Sequence, residues 1–447
     1  MKTIQAPYRV RGGVHPVYRK DRTRGNAIVD LPPPALLRVS MTQHLGAPAR
    51  PVVKKGDTVA RGQLIGEAAG FISAAVHAPT SGTVKAVQDE RTPAGSTAAT
   101  VQIEPDGEDR WVEGLEGMSD WAQADAKTIV GKVGAAGIAG MGGAGFPTHV
   151  KLSPPPDKPV DTLILNGAEC EPYLTADHRL MIEHADGIVQ GLEIIRHVLG
   201  AGTVRVAIED NKPEAIAAME HALGSAEGDV AVVILETAYP QGAEKQQIYA
   251  ITGREVPSAG LPMDVGCLVE NVGTALAVRD AVLAGRPLTE RVTTVTGTPV
   301  REPGNVRARL GTPYADLLEV CGGEAGDAAK VIAGGPMMGL AQPGLDATTT
   351  KTASGLLFLA ANEIATYSSM PCIGCGRCIV ACPMLLMPAE LSQLLEAEDY
   401  EGAEDINVMD CIECGCCSFS CPAHRPLVQH MKQGKARVML KRRAAKQ

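Results

Sequence analysis

CIGCGRCIVACP (residues 372–383) and CIECGCCSFSCP (residues 411–422) are the two stretches that decide the fold of the C-terminal part. Each has the spacing C-x2-C-x2-C-x3-C-P. In this pattern three closely spaced thiolates wrap one 4Fe–4S cluster, and the fourth leaves on a helical turn to ligate the cluster of the other motif. Structural zinc, the alternative, usually needs only two separated C-x2-C pairs. Two complete copies therefore predict two clusters in a ferredoxin-type domain.

The predicted ligands cross between the two motifs. One cluster is assigned to Cys372, Cys375, Cys378 and Cys421, and the other to Cys411, Cys414, Cys417 and Cys382. Cys416 does not fit the spacing, so we expect it to be a small buried or sheltering side chain. Cys267 and Cys321 are expected to be ordinary small apolar side chains.

Composition limits the classes of protein to which the chain can belong. Its 447 residues suggest about three domains, and a net charge of −9 gives no reason to expect nucleic-acid binding. No run of 18 apolar residues predicts a transmembrane helix, and the N-terminus lacks the apolar run of a signal peptide. Twelve cysteines in a protein expected in the cytoplasm indicate metal or redox chemistry rather than disulfides. The basic residues 435–447 are either a solvated tail or a contact for acidic lipid or an acidic partner.

The N-terminal quarter of the chain is expected to be all-β. Its segments PVVKKGDTVARGQLIGEA (51–68) and VHAPTSGTVKAV (76–87) resemble the barrel-sandwich hybrid fold of lipoyl carrier domains. A carrier would present a lysine at the hairpin tip, but the intervening segment 66–77 has none. The module is therefore predicted to be a scaffold and not a swinging arm.

The middle of the chain alternates strand-like and helix-like segments, which predicts a Rossmann-like α/β domain with a largely parallel sheet. Short β runs around one capped helix then predict a β-grasp module of the SLBB type. The expected boundaries are 1–125 for the barrel-sandwich hybrid, 126–285 for the α/β domain, 286–355 for the β-grasp module, 356–432 for the ferredoxin-type domain and 433–447 for a basic tail.

A glycine loop opens the predicted α/β domain, in the sequence GMGGAGFPTHVKL (140–152). Gly140, Gly142, Gly143 and Gly145 would let the backbone approach a flat or phosphorylated ligand, and the following helix start favours anions. Lys151 would reach a phosphate, and Phe146 would cover an adenine or flavin ring. The alternative is a tight turn without a ligand.

Two further polar segments follow predicted strands. NGAECEP (166–172) offers Asn166, Glu169 and Glu171, and YPQGAEKQ (239–246) offers Gly242, Glu244 and Lys245. Solvated acidic loops are the alternative for each segment alone. Because a doubly wound sheet binds its ligand at the carboxyl ends of its strands, the three segments together predict a nucleotide site.

These motifs, in this order, resemble the RnfC family, which supplies one subunit of the Rnf/Rsx ion-translocating NADH:ferredoxin oxidoreductase, over residues from about 10 to 432. The resemblance implies non-covalent FMN with NADH above it, and an α-helical ferredoxin domain. It implies that the four loop glycines cradle FMN, that Lys151 contacts its phosphate, and that Asn166, Glu169 and Glu171 contact its ring and ribityl chain. Phe146, Glu171, Glu244 and Lys245 would face NADH.

The resemblance also implies a place in a larger assembly. The chain would sit peripherally on the cytoplasmic face of the inner membrane, bound to membrane subunits and a ferredoxin-like iron–sulfur subunit, with external ferredoxin reacting indirectly. The flavoprotein subunit of respiratory complex I resembles the central domain too, although Met141 and Ala168 stand where that family has arginine and aspartate.

Two alternatives remain on the sequence alone. A cobalamin reductase of the diol-utilisation type uses similar modules, but there the glycine loop comes first and the β-barrel last, which is the reverse of the order here. An electron-carrying scaffold without a nucleotide site is the other, and the intact glycine loop with Lys151 and Glu171 argues against it.

Overall fold

The computed structural model describes residues 2–224, 226–368 and 370–444. In chain order the strands are β1 (Lys2–Gln5), β2 (Ile28–Asp30), β3 (Leu37–Ser40), β4 (Arg50–Pro51), β5 (Thr58–Val59), β6 (Leu64–Glu67), β7 (Val76–His77), β8 (Gly82–Arg91), β9 (Thr97–Pro105), β10 (Thr162–Asn166), β11 (Thr203–Glu209), β12 (Asp229–Leu235), β13 (Cys267–Asn271), β14 (Glu290–Gly297), β15 (Gly304–Arg309), β16 (Lys330–Ala333), β17 (Leu340–Gln342) and β18 (Gly355–Leu359).

The helices lie mainly in the middle and at the C-terminal end of the chain. They are α1 (Ala126–Ala135), α2 (Thr148–Lys151), α3 (Ala176–Glu183), α4 (Ala185–Leu199), α5 (Pro213–Ala222), α6 (Glu244–Thr252), α7 (Val272–Ala284), α8 (Tyr314–Val320), α9 (Arg377–Ala381), α10 (Pro388–Glu396), α11 (Tyr400–Asp405), α12 (Cys416–Phe419) and α13 (Leu427–Ala444).

The central domain is built on a five-stranded sheet in the order β1-β12-β11-β10-β13, in which every pairing is parallel. Strands β10 to β13 are mainly apolar because both faces of the sheet are covered there, whereas the edge strand β1 is exposed. On β10, Leu163 and Leu165 belong to the core beneath helices α1, α3, α4, α5 and α7, whereas Ile164 belongs to the core beneath α6. The predicted Rossmann-like layer is confirmed, and its carboxyl edge gathers the loops after β10, β12 and β13.

Two strands within the first thirty residues pair outside the barrel-sandwich module, although the predicted range 1–125 includes them. Strand β1 pairs with β12 in the central sheet, and β2 pairs with β15 in the β-grasp sheet. The module itself is formed by sheets β3-β9-β8-β5 and β4-β6-β7 around one apolar core. Strand pairing over more than 200 residues has no local signal, which explains the difference.

The β-grasp module carries the six-stranded sheet β17-β16-β18-β14-β15-β2, packed on helix α8. The cysteine-rich part that follows is helical between and after its two motifs, as expected. Residues 433–444 are not the tail that we predicted, because they continue α13, where Met431, Gly434 and Val438 are buried. Gly434 lies directly against Leu395 of α10, so a larger side chain would clash. Residues 445–447 of the expected tail lie outside the described residues.

Three modules meet at one lysine. Lys351, which lies between β17 and β18 of the β-grasp module, is completely buried and donates hydrogen bonds of 2.6 Å to Ala75 O in the barrel-sandwich module and to Gly137 O in the central domain. Burial without a carboxylate partner lowers the pKa of Lys351 to about 7. Next to it, Leu45 N donates to Gly145 O, so the barrel-sandwich module contacts the glycine loop.

Candidate functional site

The glycine loop is fixed at its ends and open at its crest. Gly140 N donates to Phe146 O at 2.9 Å and Met141 N to Thr274 Oγ1 at 3.0 Å. Residues 142–144 are exposed, and a Cβ at Gly143 would meet nothing within 4 Å. Gly145 has φ +69°, and a Cβ there would come within 2.7 Å of Thr352 Cγ2. The loop therefore offers bare backbone to a ligand, in a shape that its neighbours fix.

Beneath this loop lies a polar group centred on Asn271, which we did not predict from the sequence. Asn271, at the end of β13, caps α7 by accepting hydrogen bonds from Gly273 N and Thr274 N. Its Nδ2 donates to Asp177 Oδ2 at 2.6 Å, and its Cβ lies 3.0 Å from where a Cβ of Gly142 would be. The signal was present in NVGT (271–274), because an asparagine between an apolar run and a helix is a typical N-cap.

Lys151 and Glu244 come from two of the predicted segments, and the structure brings them together. Lys151 Nζ donates to Glu244 Oε1 at 2.9 Å and to Val269 O, and it lies 3.9 Å from Glu270 Oε1. Burial lowers the pKa of Lys151, but Glu270 and Glu244 outweigh that effect and raise it overall. The side chain is therefore a cation at neutral pH, at the edge of the sheet where the loop opens.

Asn166 also joins two predicted segments. Its Nδ2 donates to Gly242 O at 2.9 Å, while its Oδ1 accepts from Gln247 Nε2 at 2.7 Å and from Ala168 N at 3.1 Å. These bonds tie the loop after β10 to the start of α6. The amide thus positions the loops, with its donor and acceptor atoms engaged inside the protein.

The carboxylates of Glu169 and Glu171 accept hydrogen bonds from two different modules, the central domain and the β-grasp module. Glu169 accepts hydrogen bonds from Asp177 N and His178 N at the start of α3. Glu171 accepts from Met337 N and Met338 N of the β-grasp module, and burial raises its pKa to about 7. Lys20 Nζ, itself buried, holds the intervening backbone by donating to the carbonyls of both glutamates. The contacts to flavin expected of these carboxylates remain predictions.

Lys245 is not part of this group of side chains. Its Nζ donates to Pro257 O at 3.3 Å, away from the Lys151–Glu244 pair. Its expected role towards NADH also remains a prediction.

The residues present fit a flavin nucleotide. The open loop and the cationic Lys151 suit a phosphate, since backbone amides and a lysine are common anion ligands. The buried polar atoms of the described residues that lack a hydrogen-bond partner include Asp177 Oδ1, Gln247 Oε1 and Glu270 Oε1, whose side chains neighbour Asn271, Asn166 and Lys151. Buried polar groups of this kind are normally satisfied, so they suit a polar ring and its hydroxyl chain.

The cysteines of the second motif surround a cavity. Its lining contains the predicted crosswise set, which is Cys411, Cys414 and Cys417 with Cys382 of the first motif, and also Cys416. The other lining side chains are mainly apolar, among them Leu386, Leu391, Val428 and Met431. Burial raises the pKa of Cys411 to about 11 and that of Cys417 to about 12, so a metal cluster would have to displace their protons.

In the described part of the chain, no three His, Cys, Asp or Glu side chains converge closely enough to hold a single metal ion. The two motifs nevertheless share a local geometry. Gly374 N donates to Cys372 Sγ and Glu413 N to Cys411 Sγ, both at 3.4 Å, so in each motif a backbone amide points at the first sulfur.

The first motif lies closer to solvent than the second. Cys372 and Cys375 are exposed, whereas Cys378 is buried and packs with Cys417 and the partly buried Cys421. The structure therefore brings Cys378 and Cys421, two of the four thiols assigned to this cluster, to one place near the surface.

Cys416 is completely buried, as expected of a residue outside the ligand spacing. Its Sγ donates to Tyr239 O at 3.7 Å, and Tyr239 Oη donates to Cys414 O at 2.8 Å. Gln246 Nε2 donates to Pro383 O at 3.1 Å. The segment after β12, which borders the nucleotide site, thus lies directly on the cavity of the second motif. Cys267 and Cys321 are buried, as predicted.

Family models match four consecutive parts of the chain. These are the RnfC barrel sandwich hybrid domain at residues 8–108, the Nuo51 FMN-binding domain at 133–280, the SLBB domain at 292–341 and a 4Fe–4S dicluster domain at 365–438. The FMN-binding match contains the loop system described above, and the dicluster match contains both cysteine motifs. No helix in the described ranges is both long enough and apolar enough to span a membrane.

Curated relatives match nearly the whole chain. The C subunit of the proton-translocating ferredoxin:NAD⁺ oxidoreductase complex of Clostridium ljungdahlii is 50% identical, over 94% of this chain and 92% of its own. The corresponding subunit of the Na⁺-translocating complex of Acetobacterium woodii is 44% identical, over 97% and 98%. The C subunit of the ion-translocating oxidoreductase complex of Rhodobacter capsulatus is 45% identical, over 96% and 83%.

Among solved structures, an NAD⁺-reducing [NiFe]-hydrogenase in its H2-reduced state shares the fold, with a TM-score of 0.50 and 18% identity over 73% of this chain and 67% of that one. This likeness supports the fold alone. The agreement of the four domains with the near full-length relatives shows that the chain belongs to the RnfC family, the C subunits of the Rnf-type ion-translocating ferredoxin:NAD⁺ oxidoreductase complexes.

Proposed function

We propose that this chain is the subunit through which electrons enter, or leave towards NAD⁺, in a membrane-bound ion-translocating NADH:ferredoxin oxidoreductase. The observation that carries the proposal is the direct contact between the rim of the nucleotide site and the cavity of the second cysteine motif, through Tyr239, Cys414 and Gln246. The site proposed for the flavin and its two-electron donor is thus in direct contact with the site proposed for a one-electron carrier.

When bound, FMN would supply the chemistry that converts hydride transfer from NADH into single-electron steps. The chain's own part is to bind and to orient. Gly142 and Gly143 present backbone to the ligand, and Lys151 supplies a cation for the phosphate. Asn271 caps α7 and packs against the loop, so it fixes the position of the loop relative to that helix. Cys372, Cys375, Cys378 and Cys421 would hold one cluster and Cys411, Cys414, Cys417 and Cys382 the other, and the two clusters would supply single-electron transfer.

The wider assembly belongs to the same proposal. Membrane subunits would carry the ion, and a ferredoxin-like iron–sulfur subunit would take the electrons, with this chain bound peripherally at the cytoplasmic face of the inner membrane. The names of the relatives specify protons in one complex and sodium ions in another. Either ion is compatible with this chain.

The test is anaerobic purification followed by flavin, iron and sulfide analysis and by EPR after addition of NADH. We expect flavin to be released on denaturation, together with two interacting 4Fe–4S signals. Cys378→Ala should remove one of the two signals, whereas the matched variant Cys416→Ala should retain both. A protein that contains iron and sulfide, but neither binds FMN nor bleaches with NADH, would instead be an electron-carrying scaffold.

A further inference from the structure

A buried arginine of the β-grasp module lies against the inner side of the glycine loop. Arg291, on β14, is 3% exposed, and its Nη2 donates to Met141 O at 3.2 Å. Its Nη1 lies 3.1 Å from Met141 Sδ, and a Cβ at Gly273, in the first turn of α7, would come within 3.0 Å of this atom. Arg291 falls outside residues 133–280, which match the FMN-binding domain. A second module therefore contacts the loop from inside the molecule.

The guanidinium of Arg291 is a buried cation without an ion pair. Arginine stays protonated in proteins, and within the described residues no carboxylate is hydrogen-bonded to this side chain. Burial lowers the pKa of Arg291, and Asp177 and Glu169 oppose that effect from further away. Its Nε has no hydrogen-bond partner in the described part of the chain. Because an unpaired buried charge lowers stability, this position favours a ligand that brings negative charge.

The hydrogen bond to Met141 O fixes the direction of the next amide. The Met141–Gly142 peptide is trans, so its carbonyl and its N–H point to opposite sides. Because Arg291 holds the carbonyl on the buried side, the N–H of Gly142 points to the exposed side of the loop. Gly142 is exposed, and its amide has no acceptor among the described residues. Arg291 therefore presents this donor to a ligand.

The start of α7 adds to the positive charge at this place. The helix runs over Val272–Ala284 and begins beside Arg291 at Gly273. Aligned peptide dipoles give the N-terminus of such a helix about half a positive charge. The loop itself, residues 140–147, has no charged side chain, and Met141 stands where the complex I family has arginine. The cation beneath the loop is therefore supplied by another module and not by the loop.

We propose that Arg291 is a positioning and specificity-determining residue, through which the site selects a flavin that carries a phosphate. This inference rests on the proposed function, in which the site binds FMN. The phosphate is the group of FMN that is ionised at neutral pH, whereas the oxidised ring and the ribityl chain are neutral. Arg291 orients the Gly142 amide towards that anion and adds positive charge behind it, while Lys151 supplies a second cation. Riboflavin has the same ring and chain without the phosphate, so it gains from neither effect.

Flavin selectivity measures this role without catalysis. The full-length protein is purified anaerobically, freed of flavin by dialysis, and titrated with FMN and with riboflavin, with flavin fluorescence as the signal. Arg291→Met should weaken FMN binding roughly 10- to 100-fold and riboflavin binding less than about threefold, because only the phosphate loses a charge-assisted interaction. Arg291→Lys should recover most of the preference for FMN, since its ammonium keeps the charge and can donate to the carbonyl.

Arg22→Met is the matched control. The guanidinium of Arg22 also donates to backbone carbonyls of the β-grasp module, Gly297 O at 2.7 Å and Val300 O at 2.9 Å, and not to the glycine loop. Its affinities for both flavins should match those of the unmodified protein. Circular dichroism and iron content check that each variant is folded. If Arg291→Met fails this check, Arg291→Gln replaces it, because its amide still donates to a carbonyl. The preference for FMN should then fall at least about fivefold, since the charge is lost.

Two results would overturn the proposal. A preference for FMN that is unchanged in the neutral variant, whether both affinities fall together or neither falls, would show that Arg291 only supports the fold of the loop. A preference that Arg291→Lys does not recover would show that the charge is not what the site uses. Failure of the proposed function looks different, because the unmodified protein would then bind neither flavin, and the proposal would fail with it.

Discussion

The edge of the parallel sheet and the junction of the three modules each contain a lysine withdrawn from solvent, in opposite surroundings. Lys151 at the sheet edge is partly buried beside Glu244 and Glu270, and its pKa is raised. Lys351 at the junction is completely buried, donates to two carbonyls, and has a pKa lowered to about 7. The carboxylates beside Lys151 keep it positively charged, so that it can bind an anionic ligand. The carbonyls beside Lys351 only accept its hydrogen bonds, so that its amine links two modules.

The largest expected effect concerns the junction. Lys351→Met removes the donor from Ala75 O and Gly137 O, and each buried carbonyl left without a partner costs about 1–3 kcal/mol. Urea unfolding at pH 10.5, where little of the cost of deprotonating Lys351 remains, followed by the fluorescence of Trp111 and Trp121, should show a loss of about 2–6 kcal/mol. The exposed Lys55→Met is the control, with an expected change within about 0.5 kcal/mol. Equal stability of the two variants would contradict a structural role for Lys351.

The second prediction concerns the sheet edge. Lys151→Met should weaken FMN retention roughly 10- to 150-fold, because a hydrogen bond to a charged group contributes about 1.5–3 kcal/mol. Equilibrium dialysis of the purified protein measures this loss. Lys158→Met, which removes an exposed lysine paired with Asp264, should leave retention unchanged. If both variants hold FMN equally well, Lys151 is not a phosphate ligand.

The third prediction uses pH to compare the lysines. Between pH about 7 and 10.5 the unfolded chain carries a proton on Lys351 that the folded chain has released, so this residue makes stability rise with pH. The slope should be at most ~1.4 kcal/mol per pH unit, and Lys351→Met should abolish it. His44 and His77 lie beside Lys351, but their lowered pKa values of about 4 and 3 keep them neutral in this range. A slope that persists in Lys351→Met would assign it to another group.

The smallest effect is expected for Glu244→Gln. Glu244 is partly exposed, and ion pairs of that kind contribute about 1 kcal/mol or less. Glu270 still neutralises Lys151, so FMN retention should change less than about fivefold in the same dialysis assay. A loss as large as that of Lys151→Met would indicate that Glu244 itself contacts the ligand.

Local patterns predicted much of this molecule. The cysteine spacing led to the crosswise set that lines the second-motif cavity, and the strand–helix alternation led to the parallel sheet. Lys151 and Glu244 were placed at one edge because the carboxyl ends of parallel strands meet there. Each of these inferences depends on residues within one segment or on a general rule of chain topology.

What local patterns did not reveal depends on distant contacts. The hydrogen bond from Tyr239 to Cys414, the attachment of Glu171 to Met337 and the role of Lys351 each join residues more than 100 positions apart. Asn271 was missed for a different reason, since its capping pattern was visible but β13 was not recognised as a strand of the sheet. The helical continuation of the C-terminal basic segment depends on packing against α10, which charge alone cannot show.

The pairing of β1 with β12 has a consequence for biosynthesis. The strand Lys2–Gln5 leaves the ribosome well before its partner residues 231–234, which follow more than 220 residues later. At 5–20 residues per second the nascent strand waits roughly 10–50 s without a neighbour. Its sequence KTIQ is mostly polar and remains exposed in the folded protein, which makes it a poor template for aggregation during that interval. The central sheet is thus completed at its edge by a strand made long before its partner, after the barrel-sandwich module has had time to fold.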